Sequence, residues 1–152
     1  MPAACEVFRP SVLRPLTMVA AAAVLVSFAV LSYALGAIGW DAWKPVDVVW
    51  MNGIGILFAA VLWRLGAVRA VATPESLTVR NIVRTRTFAW PEIFGVSYRA
   101  ASGQPWPVLD LADGTTYAVM AIQTADGARG AAAAERLRRL VDTYGTHDGS
   151  DN

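Results

Sequence analysis

The chain has 152 residues, with 13 basic and 12 acidic side chains and a formal net charge of +1. From Thr73 onward the chain has eight arginines and nine acidic residues. It therefore lacks the basic surface of a nucleic-acid-binding protein, and no nucleic-acid partner is expected. The single cysteine, Cys5, excludes an internal disulfide, and the single histidine, His147, lies in a polar tail. With neither a Cys/His metal cluster nor a Cys–His pair, we expect no enzyme, no metal site and no cofactor.

Two uncharged apolar runs dominate the first half of the chain, one from Pro15 to Trp40 and the other from Val48 to Trp63. A membrane-spanning helix needs about 20 apolar residues. The runs therefore predict a two-helix transmembrane hairpin over residues 15–69, with spans at about 16–38 and 46–66. Two alternatives remain: a buried helix pair in a soluble protein, or a cleaved signal peptide ending at the small residues 34–37.

The basic residues predict the orientation of this hairpin. Arg9 and Arg14 precede the first run, Arg64 and Arg69 follow the second, and the connecting loop carries only Lys44. The positive-inside rule then places both chain ends in the cytoplasm, at the face of the plasma membrane. Residues 1–14 are expected to form a loose cytoplasmic arm.

Asn52 is the strongly polar side chain inside the second span. Counted inward from the loop, it lies near the level of Ser32 on the first helix. Interhelical hydrogen bonds in a membrane contribute about 0.6–2 kcal/mol, so Asn52 and Ser32 are candidates for an interhelical contact.

The composition changes at Thr73-Pro74, where alternation of apolar and polar residues begins. This period of two predicts a domain over residues 73–145 with about five antiparallel strands. A C-terminal amphipathic helix with Asp126 as a candidate cap closes the domain, and the tail 146–152 is predicted to be disordered. The predicted strands cover 76–80, 82–90, 93–99, 107–112 and 116–122.

These segments carry a resemblance to a known family. Arg84-Thr85-Arg86, then Trp90-Pro91-Glu92-Ile93, and Asp113-Gly114 follow two membrane spans in this order. The pattern resembles the small pleckstrin-homology-like (PH-like) membrane proteins of actinobacteria, some of which are labelled low molecular weight protein antigen 6. The resemblance implies an α+β fold in which a bent antiparallel sheet is capped by the C-terminal helix. A full PH domain has seven strands, so either strands are missing here or the juxtamembrane segment supplies one.

Three arginines of the first predicted hairpin, Arg80, Arg84 and Arg86, are candidate contacts for a lipid headgroup or another anion. Arg84 and Arg86 are two residues apart and project from one face of a strand. The resemblance implies the same region, since many eukaryotic PH domains hold phosphoinositides in their first strand–turn–strand. The alternative is that these arginines only set topology and keep an edge strand soluble.

Two functions follow from these observations. The first is a membrane-anchored scaffold or adaptor that binds an unidentified protein, with aromatic residues as anchors. The candidate anchors are Phe94, Tyr98, Trp106 and Tyr117. The second is recognition of anionic lipid by the arginine-bearing hairpin.

Overall fold

The computed structural model describes residues 5–39 and 41–145. It divides the chain into two compact units. One is the helical unit Leu13–Gly66, and the other joins the segment that ends at Val12 to the segment that begins at Ala67. The predicted tail 146–152 and Trp40 lie outside the described residues.

The helical unit consists of α1, Leu13–Ala37, and α2, Pro45–Gly66. Both helices are long and apolar enough to cross a membrane, and only 11% of each apolar window is buried. A core helix of a soluble domain would be mostly buried. The apolar surfaces of α1 and α2 are mostly exposed, so these two helices differ from core helices of that kind. Gly55 allows close packing of the pair, because a Cβ atom there would lie 2.8 Å from the Phe28 side chain.

The second unit contains a four-stranded antiparallel sheet in the order β1-β2-β3-β4. Its strands are β1 Glu6–Phe8, β2 Arg69–Ala72, β3 Ser76–Arg80 and β4 Thr85–Ala89. Val7 pairs with Val71 across β1 and β2, although the whole helical unit separates these strands in the sequence. The sheet therefore includes two strands, β1 and β2, that precede the predicted domain start at residue 73.

Three further strands form a second antiparallel sheet in the order β5-β6-β7. These are β5 Ile93–Ser97, β6 Val108–Leu111 and β7 Thr116–Ala118. A short 3-10 turn at Trp90–Glu92 joins the two sheets. Within it the Glu92 carboxylate accepts the Ala89 N–H at 2.8 Å, and the buried Trp90 ring donates from Nε1 to the Thr73 carbonyl at 2.8 Å. The tryptophan–proline–glutamate step is therefore a structural corner.

The C-terminal helix α3, Ala128–Tyr144, packs on the core formed by both sheets. Its buried positions Gly130, Ala134, Leu137 and Val141 follow helical spacing, as the amphipathic pattern predicts. The α+β organisation is thus confirmed. The described residues form seven strands rather than about five, because β1 and β2 lie outside the segment in which strands were predicted.

Asp126 has a different role from the predicted cap. It lies in a 3-10 turn before α3, and Gly127 occupies the cap position without a side-chain bond. The Asp126 carboxylate instead accepts bonds from Ser11 N, Ser11 Oγ and Val12 N at 3.1, 2.8 and 2.9 Å. It therefore fixes the N-terminal segment, predicted to be a loose arm, against the C-terminal part of the same unit.

Candidate functional site

The polar contact proposed for the helix pair involves Asn52 and Ser32. The Asn52 amide Nδ2 donates to Ser32 Oγ at 3.0 Å and to the Val48 carbonyl at 2.8 Å. Ser32 is buried between the helices. The structure brings these two residues together in a geometry that suits an interhelical bond.

The candidate arginines Arg80 and Arg86 lie on opposite faces of the first sheet. Arg86 is paired with Val79, whose side chain is buried, so both belong to the inner face. Arg80 is paired with Arg69 on one side and Thr85 on the other, which places it on the outer face. The two arginines therefore do not converge on one anion.

Arg86 is held by aromatic rings. Its guanidinium lies 5.0 Å from the centre of the Phe88 ring and 5.6 Å from that of Tyr117. The two rings meet edge to face with their centres 5.0 Å apart. Cation–π contacts of this kind explain how an arginine is accommodated on the inner face of the strand beside aromatic rings.

Arg84 lies in the turn between β3 and β4, which Asn81 fastens to the second sheet. Asn81 Nδ2 donates to the Ala118 carbonyl at 2.7 Å, and its Oδ1 accepts the Met120 N–H at 3.2 Å. Val83 at the tip of this turn is 80% exposed. The turn occupies the end of the sheet at which β1 ends and β2 begins, since neighbouring strands are antiparallel.

The four aromatic candidates separate clearly by burial. Phe94 is 83% exposed and occupies the irregular position at which the β5–β6 register shifts. Tyr98 and Tyr117 pack against the core, and Trp106 is half-buried. Only Phe94 among the four presents its ring as a free anchor.

A groove between β1 and α3 has no counterpart in the sequence predictions. It has a volume of about 450 Å³, and its α3 wall presents Arg129, Ala132, Ala133 and Arg136. The opposite wall is β1, with Phe8 at its base and Arg9 at its rim. We call this cleft the β1–α3 groove. The one feature of the sequence that indicates this groove is the spacing i, i+3, i+4, i+7 of the four α3 residues. This spacing puts them on one face of the helix, separate from the face that packs on the core.

Two carboxylates of the second sheet and its turn, Asp110 and Asp113, have structural partners. Asp110 accepts the Ser97 hydroxyl at 2.6 Å, and Asp113 accepts both the N–H and the hydroxyl of Thr115, at 2.8 and 2.6 Å. The hydrogen bonds from Thr115, with a smaller contribution from the charge of Arg86, hold the pKa of Asp113 below its ordinary value of 3.8. Within residues 5–39 and 41–145, no three His, Cys, Asp or Glu side chains cluster as metal ligands.

Comparison with known proteins agrees with this architecture. Residues 67–140 match the family described as "Bacterial PH domain". With its sheets of four and three strands and the C-terminal helix, the second unit is a PH-like domain.

Two mycobacterial proteins are similar to this chain. Uncharacterized protein Rv1417 of Mycobacterium tuberculosis (strain H37Rv) and uncharacterized protein Mb1452 of Mycobacterium bovis are each 34% identical over 101 residues. The matched region covers 66% of this chain and 64% of each relative, so the chain spans less than two thirds of their length. No solved structure matches the chain.

Proposed function

We propose that this protein is a membrane-anchored adaptor whose PH-like unit binds another protein at the cytoplasmic face of the plasma membrane. The observation that carries the proposal is the β1–α3 groove, an open cleft with an apolar base. Its volume of about 450 Å³ lies within the roughly 300–1,000 Å³ typical of ligand clefts.

Anchoring follows from α1 and α2 as two spans. The pairing of β1 with β2 supports a hairpin, because strands of one sheet must lie on the same side of a membrane. Arg9 and Arg14 before the spans, with Arg64 and Arg69 after them, favour the cytoplasm for that side. The mycobacterial relatives support an actinobacterial source. We further propose that the protein is of the low molecular weight protein antigen 6 type, which its sequence resembles.

Site-specific photo-crosslinking tests the adaptor function. Benzoylphenylalanine replaces Phe94 in one variant and Ala132 of the groove in another, both in the full-length protein in native membranes. We expect a light-dependent protein adduct that persists in 1 M NaCl at one position at least, because apolar contacts survive screening. If neither position yields an adduct, the adaptor function is wrong.

A second candidate function is contact with anionic lipid, and the exposure of Val83 favours it. Val83 is 80% exposed between Arg80 and Arg84, and an apolar tip flanked by cations suits a membrane interface. Arg86 takes no part in this version, since its guanidinium lies over Phe88 and Tyr117.

Fluorescence quenching distinguishes the lipid contact. The variants V83C and E75C, each in a C5S background, are labelled with a polarity-sensitive dye and reconstituted into nanodiscs containing brominated lipid. Glu75 lies in the turn between β2 and β3, at the opposite end of the sheet, and provides the control. Lipid contact predicts quenching at position 83 only, dependent on anionic lipid and lost in the double variant R80Q/R84Q. Equal quenching at both positions would eliminate the lipid function.

A further inference from the structure

The β1–α3 groove has walls of two different kinds. One wall is a helix face that carries an arginine at each end, Arg129 and Arg136, with Ala132 and Ala133 between them. The other wall is β1, the edge strand of the first sheet. Because an edge strand has a neighbour on one side only, it can accept a further extended segment by backbone pairing.

The base of the groove is apolar. Phe8 is 3% exposed and Ile122 is 1% exposed, and both contribute to the lining. Alternate side chains of an added strand would point toward this base, since successive side chains of a strand face opposite sides. The groove therefore selects for an apolar residue at every second position of its occupant.

The rim carries unbalanced positive charge. Within the part of the chain that the structure describes, neither Arg9 nor Arg129 makes an ion pair. Arg136 is paired with Glu6 at 2.7 Å and lies 6.0 Å from the centre of the Phe8 ring. The acid in the lining is Asp126, whose carboxylate accepts bonds from Ser11 and Val12 but keeps its negative charge. The three arginines therefore exceed the two acids, Glu6 and Asp126, by one charge.

We propose that the β1–α3 groove binds an extended acidic segment of a partner protein, in which apolar residues alternate with Asp or Glu. The segment adds to the edge of β1, its apolar side chains contact Phe8 and Ile122, and its carboxylates face Arg9 and Arg129. This inference rests on the proposed adaptor function, to which it adds the place and the chemistry of the partner.

Two neighbouring alanines of α3 provide a matched test. Ala131 and Ala132 are both exposed, but only Ala132 lines the groove. Benzoylphenylalanine at each position in the full-length protein, in native membranes, should give an adduct at 132 and none at 131. Mass spectrometry of the crosslinked peptide should identify an acidic segment with alternating apolar residues. Equal adducts at both positions, or a neutral or basic segment, would overturn the proposal.

The identified segment, synthesised with a fluorescent label, then tests the charges. Its Kd for the full-length protein in nanodiscs should rise about tenfold in R9Q/R129Q, because two rim contacts are lost. R139Q alters an exposed α3 arginine outside the groove and should leave the Kd unchanged. An unchanged Kd in R9Q/R129Q, with an unchanged melting temperature, would overturn the proposal. Adducts at Phe94 without any at Ala132 would reject the groove but keep the adaptor, whereas no adduct at either would reject both.

Discussion

Val7 lies directly opposite Val71 in an antiparallel pair, so the segments before and after the helical unit belong to one sheet. The helix pair is therefore an insertion between two adjacent strands of a PH-like domain. The helical unit is joined to this domain by two chain connections, one after Val12 and one before Ala67.

The first prediction concerns which fragment can fold. Residues 73–145 alone lack β1 and β2, so Leu77 and Val79 of β3 lose the covering strand on one side. Burial of Phe8 alone contributes about 1.5–3 kcal/mol, a large share of the 5–15 kcal/mol of a typical domain. We expect no cooperative urea transition for this fragment, although the alternation of apolar and polar residues predicts a domain over 73–145.

The matched fragment joins residues 5–12 to residues 67–145 through a short Gly/Ser linker. It restores both strands and should be soluble and unfold cooperatively, because it contains the whole core of the second unit. Cooperative unfolding of 73–145 with the same midpoint would contradict the role of β1 and β2.

The second prediction concerns Asn81, whose amide joins the β3–β4 turn to the end of the second sheet. N81A leaves the Met120 N–H and the Ala118 carbonyl without their partner. Losing these bonds should lower the free energy of unfolding of the joined fragment by about 1–3 kcal/mol, measured in urea. S102A, which removes one exposed hydroxyl bond to the Arg99 carbonyl, should change it by less than about 0.5 kcal/mol.

The third prediction concerns the acid side of the stability curve. The pKa of Asp113 is lowered below 3.8 in the folded state, so its contribution to stability is complete above that value. The contribution is lost as the pH falls through the lower, folded pKa. A carboxyl NMR titration of the joined fragment should show Asp113 titrating below 3.8, and T115V should raise its pKa because the hydrogen bond from the Thr115 hydroxyl is removed. Titration above 3.8 in the parent fragment would contradict this assignment.

The fourth prediction concerns the helix pair. Asn52 and Ser32 should show a coupling free energy of about 0.6–1.7 kcal/mol in a double-mutant cycle with N52A and S32A, measured by SDS unfolding of the full-length protein in bicelles. S27A, an exposed serine on the same helix, replaces S32A in the control cycle and should give no coupling with N52A. Equal coupling in both cycles would show that the hydrogen bond is not responsible.

Local pattern was sufficient for the elements with a clear period. The strand at Ser76–Arg80 and the three long helices follow from alternation, apolar run length and helical spacing. Local sequence pattern did not predict β1 and β2, which are three and four residues long. These strands pair with each other although the whole helical unit separates them in the sequence. Such short strands hold too few residues to establish a period, and their partner is remote in sequence.

The candidate site divided in the same way. The contact between Asn52 and Ser32 could be predicted because it depends only on the depth of each residue within its own helix. The division of Arg80 and Arg86 between two faces followed from register and from the aromatic contacts of Arg86. One wall of the β1–α3 groove is β1, and because β1 was not predicted from the sequence, the groove could not be predicted either.

The shared sheet of β1 and β2 on one side of a membrane is tested most directly by labelling three cysteines in whole cells with a membrane-impermeant maleimide. Native Cys5 directly precedes β1, and the variants K44C and E75C, each in a C5S background, report the helix connection and the β2–β3 turn. If the helix pair is a hairpin with both ends in the cytoplasm, K44C is labelled in intact cells, and Cys5 and E75C are labelled only after permeabilisation. Labelling of Cys5 and E75C from opposite sides would contradict it, because β1 and β2 could not then share a sheet.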